Sequence, residues 1–446
     1  MLFGVSVSPT AIVGVRVQDG QVHEAREPVR EFDYSRALTR LFPRLLRGGD
    51  AQADSPDTVV FDVSAALSTN PAPSITVVRI APRPPIDVEH ELATDLRSFE
   101  GADVTHVRGG HNALGEELAR LDLEALAALA ASRDRPTRYV ITSVGSLAHP
   151  QHEIRAEQLL SGSPLTVKVE SSRSFHSSSF ATRERTALVN QALLPQADAL
   201  GTTLALVAGE AVPRARLYVA TNDGGRAPLS RLSVAPVHSL LSGRAAELVG
   251  AAAVVGVADG QLIYSSDGAL LSGEMLNGVP AVTPFAARSP VGRLATQSAN
   301  THPVDPATVG DRLRSPSNAR RPLAMVVQAD AELAGPVSGP MSRVGYDLRA
   351  FGAACTFHTE WINRFIRVAN PEEMTRELAL GEARVTARLI DAGAPPSQTR
   401  IVESRVETTA YETANVVAVR VRGIAGDSPR PHVLGDHAVA QGGGSR

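Results

Sequence analysis

One cysteine, one lysine and one tryptophan occur in 446 residues. A lone thiol, Cys355, forms neither an internal disulfide nor a thiolate metal cluster. With Lys168 the only lysine, arginine carries the positive charge, and chemistry that needs a lysine amine has a single candidate. No apolar run reaches the roughly 18 residues of a membrane span. The chain opens on strand-like residues, not on a basic segment followed by an apolar one. The expectation is a cytoplasmic protein with no membrane partner. Net charge is −3, and the arginines are scattered among nearly as many acids, so no field favours nucleic acid.

What is present is a globular composition. Hydrophobic residues make up 43% of the chain, which excludes general disorder, and the length suffices for two or three domains. The stretch from Leu217 to Pro280 is the most informative. Residues 216–220 alternate like a strand, and Asn222-Asp223-Gly224-Gly225 supplies a turn from residues that tolerate positive φ. Leu241-Ser242-Gly243 leads into AAELVGAAAVVG, whose small residues let a helix lie close to a sheet. Residues 262–265 read as a buried strand, and a second apolar strand ends at the turn Asn277-Gly278.

Upstream, alternating runs over 2–7 and 11–17 meet the turn Asp19-Gly20 and a third run follows, a β-meander. Helices are expected over 34–46, 116–131 and 182–194, strands over 58–66, 75–80, 138–142 and 165–169, and a hairpin over 104–115. Downstream, a strand is expected at 323–327, and an amphipathic helix starts near Pro371 and ends at Gly393. Strands over 401–406 and 416–421 follow. The Gly/Pro-rich tail from 426 reads as flexible.

These pieces resemble the A-type subunit of the hydantoinase/oxoprolinase family. The NDGG turn, Pro236 before SLLSGRAAELVGAA, the turn Asn277 to Pro280 and the helix in SSRSFHSSSFATRERTALVNQALLP carry the resemblance, which covers roughly residues 1–425. It implies an α/β chain of two actin-like (ribonuclease H-like) lobes with a nucleotide-binding cleft between them. The implied division is an N-terminal domain over 1–180, a C-terminal actin-fold domain over 181–425 and a flexible tail over 426–446. The resemblance also implies a hydrolase that opens lactam or hydantoin rings with ATP and Mg. A small cyclic amide would be its substrate, a B-type subunit its partner, and a homo-oligomer its assembly.

The resembled family grips phosphate on three Gly-rich loops, because glycine amides cradle the anion and an aspartate organises the metal. In place of the first, this chain has Ser6, Ser8, Pro9, Thr10 and Val13. Proline removes a donor, valine cannot reach a cation, and Thr10 alone keeps the family type. The second is replaced by YSSDGALLSG over 264–273, and the third by RLRSPSNARRP, without a glycine triplet. Thr69-Asn70 matches a further family motif and equally reads as a turn ending a strand.

By this resemblance the cofactor-binding candidates are Thr10, Asn222, Gly224, Gly225, Ser242, Gly243, Asp267 and Gly268. The catalytic candidates are Asp223, Arg185 and Asn190; Arg185 reads either as a substrate or phosphate clamp or as one side of a salt bridge. His149, His152 and Glu153 form a candidate metal set, since a spacing of three puts both imidazoles on one helix face. Capping and the helix macrodipole account equally for a glutamate at a helix start. Cys355 and His358 read as core packing beside Phe351 and Phe357. Three functions stay open: a divergent family subunit with weakened nucleotide use, a catalytically silent scaffolding or regulatory member, and an actin-like small-molecule kinase or ATPase.

Overall fold

The computed structural model describes residues 1–47, 56–69, 74–83, 102–112, 114–283, 291–314, 323–329, 341–408 and 415–426. The chain opens with β1 (Leu2–Val7), β2 (Ala11–Gln18) and β3 (Gln21–Pro28), an antiparallel meander. Asp19 and Gly20 join β2 to β3, both with positive φ (47° and 85°), as a two-residue type I′ hairpin demands. On its other edge β1 pairs parallel with β4 (Thr58–Asp62), and β4 pairs parallel with β9 (Arg216–Ala220). The sheet continues through β10 (Gly225–Pro228), β19 (Phe357–Arg367), β21 (Val416–Ala425) and β20 (Thr399–Thr408) to nine strands.

A second sheet repeats the first plan. Its strands β11 (Gly260–Ser266), β12 (Ala269–Leu276) and β13 (Val279–Pro280) form an antiparallel meander. Parallel to β11 lies β17 (Leu323–Gln328), and parallel to that β18 (Ser342–Val344). The order β13-β12-β11-β17-β18 therefore mirrors β3-β2-β1-β4-β9 in position and direction. Short strands β14 (Val282–Thr283) and β15 (Ser298–Ala299) pair with each other, and β16 (Thr301–Pro303) lies beside β12. The result is a mixed α/β fold of two lobes, each built on one meander-plus-parallel sheet.

Two helices lie between the sheets. Leu348–Ala354 packs on β1, and Ser242–Val255 packs on β11. Their small residues were selected by distance: a Cβ on Gly4 would lie 1.9 Å from the Ala350 carbonyl oxygen, and one on Gly352 would lie 1.8 Å from that of Ala246. Backbones this close leave no room for any side chain.

A third, all-parallel sheet of β5 (Ile75–Ala81), β6 (Ala102–Arg108), β7 (Thr137–Ser143) and β8 (Thr166–Ser171) is inserted between β4 and β9. Helices Leu123–Ala131 and Gln151–Ser161 cover one face through Leu126, Ala156 and Leu160. Helix Phe180–Ala211 covers the other, where Ala187 and Leu188 join the core with Val77 and Val140. Burial on both faces is what a parallel sheet requires.

Several expectations change. The hairpin expected over 104–115 is smaller and later: residues 104–108 belong to β6, parallel to β5, and the chain turns back only where His111 bridges antiparallel to Glu117. The helix expected over 116–131 begins only at Leu123, where Asp122 caps it by accepting from the Ala125 N–H at 2.9 Å. The helix expected to stop at residue 194 runs through Pro195 to Ala211. A proline inside a helix costs about 3 kcal/mol, and burying Ala197, Leu200, Leu204 and Ala208 beyond it offsets that loss. The nine-stranded sheet draws strands from both sides of residue 180. Among the described residues no helix is long and apolar enough to cross a membrane. The tail after residue 426 and residues 315–322 of the third loop lie outside the described residues, as does Asn70.

Candidate functional site

Each meander makes its first turn between two antiparallel strands, and the second of these turns reaches helix Leu348–Ala354 through Asp267 and Arg349. In the first, Ser8, Pro9 and Thr10 link β1 to β2, and the Ser8 hydroxyl closes the turn on the Ala11 N–H and carbonyl (3.1 and 2.8 Å). Thr10 is exposed. In the second, Asp267 and Gly268 join β11 to β12 with φ of 46° and 78°. They form a two-residue hairpin of the kind Asp19-Gly20 makes, with no further glycines to cradle an anion.

At this corner the charges converge on a residue the sequence did not single out. The Arg349 guanidinium bonds Glu247 at 2.8 Å and Asp267 at 3.1 Å, and stands 3.9 Å from Asp62. Asp62 ends β4, Glu247 lies on helix Ser242–Val255, and Asp267 belongs to the second lobe's turn. One side chain thus bridges carboxylates from both sheets. Burial alone would lower the Arg349 pKa, but Glu247, Asp62 and Asp267 together raise it. For Glu247 burial dominates and pushes the carboxyl up to about 7, against the pull of Arg349.

Ser242 and Gly243 belong to the same corner. The Ser242 hydroxyl donates to Asp62, as does that of Ser64 at 3.0 Å. A Cβ on Gly243 would lie 2.7 Å from Ser64 Oγ and 2.9 Å from Arg349 Nε, so glycine there makes room for the guanidinium.

Asp223 anchors a second, separate network. Its carboxylate accepts from Thr221 Oγ1, the Gly225 N–H, Trp361 Nε1 (2.8 Å) and Arg422 Nη2 (3.1 Å). Burial would raise its pKa, but the Arg422 guanidinium and these bonds prevail and hold it below the usual carboxylate range. Arg422 also donates to the carbonyls of Asp223 and Pro280, and its guanidinium lies 5.1 Å from the Trp361 ring centroid. A cavity of about 70 Å³ opens beside Asp223, bordered by Thr221, His238, Gln297, Glu360 and Trp361. Gly224 and Gly225 serve the turn, Gly224 with φ of 79°. Asn222 ties that turn to the next segment, donating to the Val237 carbonyl and accepting from the Leu241 N–H.

The remaining candidates lie apart. Asn190 donates to Glu170 and the Val234 carbonyl (both 3.1 Å) and accepts from the Val237 N–H, which fixes the 234–237 turn to its helix. Arg185 lies against Gly292. Its neighbour Glu184 makes a buried bidentate pair with Arg79 on β5, at 2.8 Å twice. His149 precedes helix Gln151–Ser161, so it does not share a helix face with His152. His152 accepts from the Gly110 N–H and bonds Glu117 (3.1 Å). Glu153 instead gathers the Ser143 and Arg173 N–H groups and the Ser171 and Ser172 hydroxyls. The three therefore do not converge. Among the described residues no group of three or more His, Cys, Asp or Glu is arranged to hold a metal ion. Cys355 is buried, with its thiol pKa pushed up to about 12 by burial.

The fold so defined is a two-lobed α/β fold shared with ATP-dependent enzymes. One solved structure that shares it is nucleotide-free acetone carboxylase, from work on ATP-dependent acetone carboxylation. It is 11% identical over 96% of this chain and 88% of that chain, with a TM-score of 0.67. Another is the ATP-dependent caprolactamase from Pseudomonas jessenii, 14% identical over 95% of this chain and 87% of that chain, with a TM-score of 0.69. At such identities the likeness is one of fold. The sequence matches no family profile and no curated protein.

Proposed function

We propose that this chain is a divergent A-type subunit of the hydantoinase/oxoprolinase kind, related to ATP-dependent hydrolases that open lactam or hydantoin rings, with weakened nucleotide use. Its substrate class is a small cyclic amide and its partner a B-type subunit. The observation that carries the reading is the Arg349 bridge. Mg²⁺ with a triphosphate needs free carboxylates and a row of amides. Here Asp62, Glu247 and Asp267 face one guanidinium, Pro9 lacks an N–H, and the second turn is a two-residue hairpin. These residues do not fit the metal as the resemblance would place it. The same bridge favours a second reading, a catalytically silent member that keeps the fold and a partner surface.

Calorimetric titration with ATP and Mg²⁺ tests both. The expected affinity is weaker than about 1 mM, near −4 kcal/mol, and unchanged in Thr10→Ala and Asp267→Ala. Micromolar binding abolished by both substitutions would sink the weakened-nucleotide reading. Co-purification of a second chain together with ring opening separates the divergent enzyme from the silent scaffold.

A further inference from the structure

One cavity away from the Arg349 corner is lined by arginine. Strand β10 is short and pairs with β19 only at Phe357 and His358. Beyond His358, among the described residues, β19 has a strand partner on one side alone, β21. Against the vacant side lies a cavity of about 430 Å³. This falls in the roughly 300–1,000 Å³ range of small-molecule sites.

Four guanidiniums border it: Arg364 from β19, Arg384 and Arg388 from helix Pro371–Asp391, and Arg231 from the turn that follows β10. Among the described residues no aspartate or glutamate lines it. The nearest compensation is slight. Arg364 stands 3.8 Å from Glu377, and Arg388 donates to the Trp361 carbonyl at 3.3 Å. Arg231 and Arg384 have no ion pair among the described residues. Asp223 and Glu360 border the adjoining small cavity, but Asp223 is already engaged by Arg422 and Glu360 stands 3.6 Å from His358.

Asn363 lines the cavity too, but its unbonded amide oxygen is closed off from the open space and is an acceptor, so the case for an anion rests on the guanidiniums. The cavity's histidines agree with the sign of the field. Burial and then Arg364 and Arg183 hold His176 down to about 4, while burial and then Arg231 do the same to His238. Both are therefore neutral donors or acceptors at pH 7.

We infer that this cavity is a binding site for a small organic or inorganic polyanion, held by Arg231, Arg364, Arg384 and Arg388, with the Gln297 amide placed to donate beside them. Guanidiniums suit carboxylate and phosphate alike, because their paired N–H groups match two oxygens at once. The inference stands apart from the nucleotide reading, since no residue of the Arg349 corner takes part.

The test uses the whole chain, titrated with inorganic phosphate and separately with succinate against sodium chloride of equal ionic strength. At least one of the two should raise the melting temperature and give a saturable calorimetric isotherm. The double variant Arg231→Ser with Arg384→Ser should bind that anion at least tenfold more weakly. Both arginines are exposed, so the variant keeps its fold, and Arg36→Ser on helix Tyr34–Arg47 serves as a surface control that binds normally. Response to succinate alone assigns a carboxylate ligand, and response to phosphate alone a phosphate ligand. If neither anion stabilises beyond chloride, or the double variant responds as the wild type does, the site is refuted.

Discussion

Two charged regions of this chain solve the same electrostatic problem in opposite ways. At the Arg349 corner one guanidinium serves carboxylates from both lobes, Glu247 and Asp62 buried and Asp267 at the surface. Around β19 four guanidiniums share a cavity that no carboxylate among the described residues lines. A buried ion pair stabilises little over a well-packed apolar alternative, yet losing one partner is costly because the other charge is stranded. The paired cluster therefore behaves as structure, whereas the unpaired one invites a counter-ion from solution. That contrast predicts where substitutions damage the fold and where they spare it.

The largest effect should come from Arg349→Ala, which strands Glu247 and Asp62 in the interior. Urea unfolding should show a loss of roughly 3–5 kcal/mol, and a change under 1 kcal/mol would erase the distinction between the two regions. Next is pH. Glu247 binds its proton more tightly folded (about 7) than unfolded, so its contribution is present below about pH 4.5 and is lost as pH rises through 7. That window is worth on the order of 3 kcal/mol, and Glu247→Gln should flatten it in melts between pH 5 and 8. The arginine-lined cavity runs the other way. His176 and His238 are held near 4, so their contribution is present above about 6.5 and disappears as pH falls toward 4. His238→Asn should reduce that acid-side slope, and an unchanged slope would show that burial of His238 does not hold its pKa down.

Smaller still, Trp361→Phe removes one bond to Asp223 and should cost about 1–2 kcal/mol in the same urea assay. The Arg231→Ser and Arg384→Ser pair should shift stability without ligand by no more than about 0.5 kcal/mol, as exposed substitutions do. A larger loss would mean that those arginines hold the fold after all.

Much of the fold was legible because its signals are local. Asp19-Gly20, Asp267-Gly268 and Asn277-Gly278 each mark a hairpin, and all six residues have positive φ. Asn370 and Pro371 announce the long helix, with Asn370 accepting from the Glu373 N–H at 2.8 Å. The Asn222-Asp223-Gly224-Gly225 turn also fell where it was expected. The bridging cations did not show. Arg349 meets Glu247 and Asp267 across 102 and 82 residues, and Arg422 meets Asp223 across 199. No pattern of spacing reports partners that far apart. β19 was missed for a related reason: FHTEWINRFIR puts polar residues on both faces, so the alternation that marks a half-buried strand is absent. Its polar residues serve Asp223 and the cavity, not the solvent.

The hairpin at Asp267-Gly268 carries an evolutionary consequence. Ladder pairing runs without interruption up to Ser266 and resumes at Ala269, so no slack chain exists between the strands. Exchanging side chains there leaves the backbone as tight as before. A loop able to cradle a triphosphate at that point would need an insertion, a rarer event than a substitution and one that a comparison of loop lengths among relatives would expose.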